Sequence, residues 1–196
     1  QALLDRDLRD VVRIQRADAM QALIRTIAAW SSKLMDISAI GAGLSLTRPT
    51  LTSYINALEA LYLVERVHPW TKTDYERVGR QDKLFLSDCG LMTSLLGWQR
   101  EQIQFDSDRI GKLLESFVFN EIVSQIDVAE QDHTLFHYRD REKREIDFLI
   151  EREDGALLGL EVKAAETVKS RDFRHLAWFR DTLAKDRPFI GMVLYT

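Results

Sequence analysis

Hydrophobic positions recur first at helical spacing and then, past the midpoint, at the spacing of alternating strands. Residues 4–16 place Leu4, Leu8, Val11 and Val12 on one face of a predicted helix. A second helix over 18–34 repeats the pattern with Met20, Leu23, Ile24, Ile27, Ala28 and Trp30. Asp36 or Ser38 is placed to cap a short helix over 38–43 that ends at Gly41 or Gly43. Thr47 before Pro49 is an N-cap followed by an early-turn proline, and predicts a helix over 48–61 carrying Leu51, Ile55, Leu58 and Leu61 inward. A β-like segment (63–70), a polar stretch (71–82) and a second short strand (83–91) follow.

From about residue 105 the rhythm changes. Residues 109–126 form a predicted amphipathic helix through Ile110, Leu113, Leu114, Phe117, Val118, Ile122 and Ile126. Strands are predicted at 134–139, 145–151 and 157–163, then a helix at 171–184 and a strand at 189–195. The expectation is an α/β (α+β) protein of two domains, 1–82 and 83–196, the second with an α-β-β-β-α-β core. The chain is read as a piece of something longer.

In the first domain, two helices, a turn, a longer helix and a hairpin follow the order of a winged helix-turn-helix. Arg48, Thr50, Ser53, Tyr54 and Asn56 then form the polar face of the recognition helix, and Lys72, Arg77 and Arg80 belong to a basic wing. Small helical domains with a polar face are common, and many winged helices bind protein, so DNA and protein both stand as partners.

Composition narrows the class. Of 196 residues, 30% are charged and only 9 are Gly and 3 Pro, which excludes a disordered or collagen-like chain. No apolar run approaches the roughly 18 residues of a membrane span and no signal peptide is visible, so the expectation is a cytoplasmic protein. The single Cys89 excludes an internal disulfide framework and is expected to be a core thiol, and His133 and His137 are expected at the surface. The net charge of −4 speaks against nucleic acid until it is divided. Residues 1–80 carry 11 Lys/Arg against 9 Asp/Glu, and residues 81–196 carry 16 against 22, so the acidic excess belongs to the second half.

Two of those acids are brought together by register. The turn signal Asp154-Gly155 joins segments whose apolar sets are Ile146, Phe148 and Ile150 on one strand and Leu158, Leu160 and Val162 on the other. Burying both sets in one core puts Phe148 across from Leu160, requires an odd-length loop, and sets Asp147 opposite Glu161. Glu145, Asp147 and Leu149 then share the other face. Opposed carboxylates about 4.5–5.5 Å apart repel unless a cation or a proton lies between them. Mg²⁺ suits one or two carboxylates plus a substrate phosphate. Lys163 shares the face of Glu161, where an ammonium positions or helps deprotonate a water, or stabilises charge on a phosphate under attack. Glu115, one turn after Gly111, is a third acid able to face the sheet. A cross-strand acid beside a lysine is also an ordinary surface pair. The charged turn Arg139–Arg144 and the basic Lys169, Arg171 and Arg174 are phosphate contacts or solvated surface.

The order Glu115, Asp147, Glu161-Val162-Lys163 within α-β-β-β-α-β resembles the PD-(D/E)xK nuclease superfamily. More closely, the runs 111–121, Tyr138-Arg139, 145–150 and 161–163 resemble domain of unknown function 4143, the C-terminal part of a family of bacterial and archaeal AAA+ ATPases. The segments 50–58 and 83–91 resemble what precedes that domain. The resemblance implies metal-dependent phosphodiester cleavage, with Asp147, Glu161 and Glu115 as metal ligands and Lys163 assisting the attacking water. It also implies an ATPase domain of the same full-length protein as partner. No G-x-x-x-x-G-K-[ST] occurs here, so ATP hydrolysis is not expected of this chain alone. The alternative is a non-catalytic DNA- or protein-binding regulatory module, and a third reading is a transcription regulator built on the winged helix.

Overall fold

The computed structural model describes residues 17–73 and 80–196, so the helix expected over 4–16, and Arg77, lie outside the described residues. The chain divides into two compact units, one of residues 1–66 and 83–99, the other of residues 67–82 and 100–196. This differs from a single cut after residue 82, because strand and helix at 83–99 return to the first unit.

The first unit contains α1 (Ala17–Trp30), α2 (Ile37–Leu44) and α3 (Arg48–Ala60). Asp36 caps α2, its carboxylate accepting from the Ala39 N–H at 3.0 Å. The helix runs through both glycines and stops at Leu44, where Ser45 adopts a left-handed conformation (φ 53°) and returns its N–H to the Ala42 carbonyl. Thr47 caps α3, with Pro49 in the first turn. Leu51, Ile55 and Leu58 of α3 are buried, and so are Leu23, Ile24 and Ile27 of α1. Strand β1 (Val64–Pro69) begins here, with β2 (Lys83–Leu86) as its neighbour. An isolated antiparallel bridge joins Leu34 to Lys83, so the link between α1 and α2 runs beside β2. The strand expected over 83–91 is cut short because Asp88 accepts from the Leu91 N–H and starts α4 (Cys89–Leu96).

The second unit is a mixed sheet ordered β1-β3-β4-β5-β6, with β3 (His133–Arg139), β4 (Glu145–Arg152), β5 (Leu157–Lys163) and β6 (Phe189–Tyr195). β3, β4 and β5 are antiparallel, while β1 runs parallel to β3 and β6 parallel to β5. α5 (Arg100–Ile103) and α6 (Ser107–Asp127) precede β3, and a 3₁₀ turn (Ser170–Phe173) leads into α7 (Arg174–Thr182), which carries the chain from β5 to β6. The α-β-β-β-α-β succession is present. Trp70, Tyr138, Ile146, Leu149, Leu157, Leu176 and Phe179 form one core, in which Phe179 meets the Trp70 and Tyr138 rings at 5.1 and 5.0 Å. Gly159 of β5 lies so close under α7 that an added Cβ would meet Leu176 and Phe189 at 2.9 Å. Phe148 stacks on Phe119 of α6 at 6.3 Å.

Helix α6 is rotated from the face its apolar spacing predicts. The buried side chains are Lys112, Ser116, Val118, Phe119 and Ile122, whereas Phe117 is exposed. At about 100° per residue, Glu115 falls inside that buried arc and Ile110, Leu113 and Leu114 outside it. Apolar count misjudges the inner face because polar residues occupy part of it. An added Cβ at Gly111 would meet nothing within 4 Å, so this glycine does not mark a close approach.

The β4–β5 register is the expected one, Phe148 opposite Leu160 and Ile150 opposite Leu158. Arg152 donates to the Ala156 carbonyl at 2.9 Å, leaving the odd loop Glu153, Asp154, Gly155, with Gly155 at φ 83°. The β3–β4 ladder departs from alternation. Between Phe136 and Tyr138 the register shifts by one, so His137 faces both Asp147 and Phe148. Ile146 and Leu149, three residues apart, therefore enter the same core, which a regular strand forbids. Leu149, expected beside Asp147 on the polar face, is fully buried. Among the described residues no helix is long and apolar enough to cross a membrane.

Candidate functional site

The start of β4 and the end of β5 lie side by side. Their last backbone pair is Phe148–Leu160. One step further, the Asp147 carboxylate itself accepts the Val162 N–H, at 2.9 Å. A side chain thus takes the ladder position where the strands part, which fixes one oxygen of Asp147 within the sheet.

Glu161 stands next to this contact and is only 4% exposed. Its Oε2 accepts from the Lys163 ammonium at 2.7 Å, while its Oε1 is buried without a hydrogen-bond partner. A buried carboxylate oxygen left in that state is costly unless a proton or a cation reaches it. Burial, and then the charge of Asp147, push the Glu161 carboxyl up to about 7, against the opposing pull of Lys163. Burial also works against the Lys163 charge, but its hydrogen bond to Glu161 and the charges of Glu161, Asp147 and Asp172 outweigh it and hold the ammonium above its ordinary value. With all three groups ionised, the cluster carries one surplus negative charge in a poorly solvated place.

The structure thus brings Asp147, Glu161 and Lys163 together. Glu115 is half-buried on the inner arc of α6. The acids that bear on Glu161 are Asp147 and Glu145. Glu145 was not among the expected site residues, although its place two positions before Asp147 marks it. Its carboxylate accepts from Arg139 at 3.3 Å. Among the described residues no group of three or more His, Cys, Asp or Glu is gathered to hold a metal ion. The donors present are carboxylate oxygens, one of them buried and unsatisfied, and that chemistry fits a hard divalent cation completing its shell with water and a phosphate.

On α3, Arg48, Ser53 and Asn56 are exposed and Thr50 is half-buried, but Tyr54 is buried in the core. Its position one turn before Leu58 and next to Ile55 places it on the inward arc. Arg48, Ser53 and Asn56, with Pro49, Thr52 and Ala60, line a shallow depression. Lys72 and Arg80 are exposed. Cys89 is half-buried at the first turn of α4 and not a core thiol. His137, expected at the surface, is buried, with Nε2 3.1 Å from the Gln81 carbonyl, because the β3–β4 bulge and the 80–82 segment enclose it.

Two family models match. One, described as "Domain of unknown function (DUF4143)", covers residues 110–196. Curated relatives include "Uncharacterized protein Rv2008c" of Mycobacterium tuberculosis and "Uncharacterized protein Mb2031c" of Mycobacterium bovis. Each is 26% identical over 165 residues, which is 84% of this chain and 36% of the relative. The chain therefore spans about a third of the length of the curated relatives it matches. No solved structure matches it. The other model, described as "Domain of unknown function (DUF8612)", covers residues 1–102, more than half of the chain, and the chain belongs to that family.

Proposed function

We propose that the second unit is a metal-dependent nuclease module and that the first is a winged helix-turn-helix that carries it to DNA. The observation that carries the reading is the buried, unpartnered Oε1 of Glu161 beside Asp147. Mg²⁺ would be held by Asp147 and Glu161, with Glu115 on the inner arc of α6 as the third acid. Bound there, the ion would supply Lewis-acid activation of a phosphodiester and of water. Asp147 is oriented by the Val162 N–H. Of the roles open to Lys163, electrostatic stabilisation of a phosphate is favoured over proton abstraction, because its amine is held protonated. For the first unit, the α2–turn–α3 succession, the β1–β2 pair and the Leu34–Lys83 bridge support the winged-helix reading. Arg48, Thr50, Ser53 and Asn56 are its DNA-facing candidates. The parent molecule proposed on the family resemblance is a cytoplasmic AAA+ ATPase, whose own domain holds the ATP.

The test is cleavage of supercoiled, linear, branched and single-stranded DNA with Mg²⁺ or Mn²⁺. Strand scission that needs the metal and disappears in Asp147→Ala and Lys163→Ala is the expected result, and intact DNA in every case overturns it. The second reading, a binding module without chemistry, is favoured by one observation, that no three-ligand group is assembled among the described residues. It predicts DNA or protein binding that Asp147→Ala leaves unchanged.

A further inference from the structure

The sheet end that holds the acids is bordered by two basic segments. The β3–β4 turn carries Arg141 and Lys143, both exposed. The 3₁₀ turn and the first residue of α7 carry Arg171, Phe173 and Arg174, following Lys169, all exposed. Phe173 keeps 41% of its surface open, and in the chain it lies between Arg171 and Arg174.

The contacts that hold this second segment tie it to the site. Asp172 accepts the Lys169 N–H at 2.8 Å, which closes the 3₁₀ turn, and its charge reaches Lys163. Arg174 donates through Nε to His175 Nε2 at 3.0 Å. His175 Nδ1 lies 3.0 Å from the Glu145 carbonyl and 3.3 Å from the Glu145 N–H. Glu145 is two residues before Asp147 on the same strand. The Arg144 guanidinium, at the end of the charged turn, lies 3.7 Å over the Trp178 ring of α7, so the two basic segments share one helix as support.

Arg144 is occupied by Asp140 and Glu142, and Arg139 by Glu145. Arg171 approaches Asp172 at 4.0 Å and is 74% exposed. Exposed Lys169, Arg171 and Arg174 thus accompany the part-open Phe173 at the edge of an acidic centre, with Glu142 and Glu166 as exposed acids nearby in the chain. Exposed cations beside an exposed ring fit a chain of phosphates whose bases are unstacked. Duplex DNA hides its base faces in its stack, and a protein ligand brings no chain of phosphates to pair with these cations.

We infer that Phe173, with Arg171 and Arg174, forms a platform for single-stranded nucleic acid. A base stacks on Phe173 and the flanking phosphates pair with the two arginines, which feeds the strand to Asp147, Glu161 and Lys163. This rests on the nuclease reading of the site for its purpose but not for its binding chemistry. The experiment is fluorescence anisotropy of the 196-residue chain with a labelled oligothymidylate and a labelled hairpin duplex, in EDTA so that binding is separated from cleavage. Tighter binding of the single strand is expected. Phe173→Ala should lose about tenfold in that affinity and little for the duplex, and Phe173→Trp should restore it. Arg171→Ala with Arg174→Ala should flatten the salt dependence by about 0.7 per phosphate lost. Equal affinity for the two probes, or a Phe173→Ala variant that binds oligothymidylate as wild type does, overturns the inference. Wild type that binds the oligonucleotide but leaves it uncleaved once Mg²⁺ replaces EDTA counts against the nuclease reading alone.

Discussion

The β4–β5 hairpin carries an acid–base pair at each end, and the two pairs behave in opposite ways. At the turn, Asp154 and Arg152 pair in the open, with Arg152 Nε donating to Asp154 at 2.9 Å. There the carboxyl is pulled down to about 2, by the Arg152 hydrogen bond first and the Ala156 N–H second. At the other end, Glu161 and Lys163 make a contact of similar length, yet the carboxyl rises to about 7. One ion pair favours its charged form and the other does not. Burial and the neighbouring Asp147 account for the difference. A salt bridge in water asks nothing of its acid, whereas a second carboxylate in a buried place leaves a charge that one lysine does not cancel. That residue of uncompensated charge is the ground for proposing a cation at the inner end and none at the outer.

The comparison is broken most sharply by neutralising the inner acids. Asp147→Asn should reduce metal-dependent strand scission by at least about 100-fold, and a plasmid-nicking time course measures it. A variant that nicks like wild type would make the inner pair an ordinary buried contact.

The next effect is one of stability and pH. The folded-state value of Glu161 is raised, so between its ordinary 4.5 and about 7 the folded chain binds more protons than the unfolded one. Its contribution is fully present below pH 4.5 and is lost as pH rises through 7. Without metal, Glu161→Gln should therefore be more stable than wild type at pH 8, by about 1–3 kcal/mol, and equal to it near pH 4. Urea unfolding in EDTA at the two pH values reads this, and a constant difference would show that Glu161 is not the group responsible. Added Mg²⁺ should stabilise wild type and leave Glu161→Gln unmoved.

These two ends also differ in how far they could be read from the sequence. The Asp154-Gly155 turn, the odd loop and the pairing of Phe148 with Leu160 follow from local turn chemistry and from matching two apolar sets, both short-range constraints. The nearness of Asp147, Glu161 and Lys163 follows from that register. What the pattern missed depends on partners far along the chain. The bulge opposite His137 put Leu149 into the core, and no residue of β4 alone announces it. The face of α6 was misjudged because Lys112 and Ser116 turn inward while Phe117 does not. Glu145 is hidden in the sequence as one more charge beside Arg144. Tyr54 reads as a surface residue because its hydroxyl is polar, although its helical position is a core one.

The turn can be perturbed without touching any charge. Gly155 sits at φ 83°, a conformation that side chains rarely adopt. Gly155→Ala should cost about 1 kcal/mol at every pH, since no titrating group is involved. Thermal unfolding at pH 5 and pH 8 checks this, and a pH-dependent loss would mean that the turn is coupled to the inner acids.

The smallest effect is expected from Asp154 itself. Its lowered value means that its contribution is present above about pH 4 and is lost as pH falls towards 2. Because the pair is exposed, salt and water screen it, and exposed pairs add little. Asp154→Asn removes the charge but keeps an oxygen able to accept the Ala156 N–H, the contact that shapes the loop. The melting temperature at pH 7 should thus be unchanged, in low salt and high, and so should scission and its pH profile. If Asp154→Asn instead shifted the melting temperature as far as Glu161→Gln does, charge alone and not burial would be setting the behaviour of both ends, and the case for a cation at the inner one would lose its physical basis.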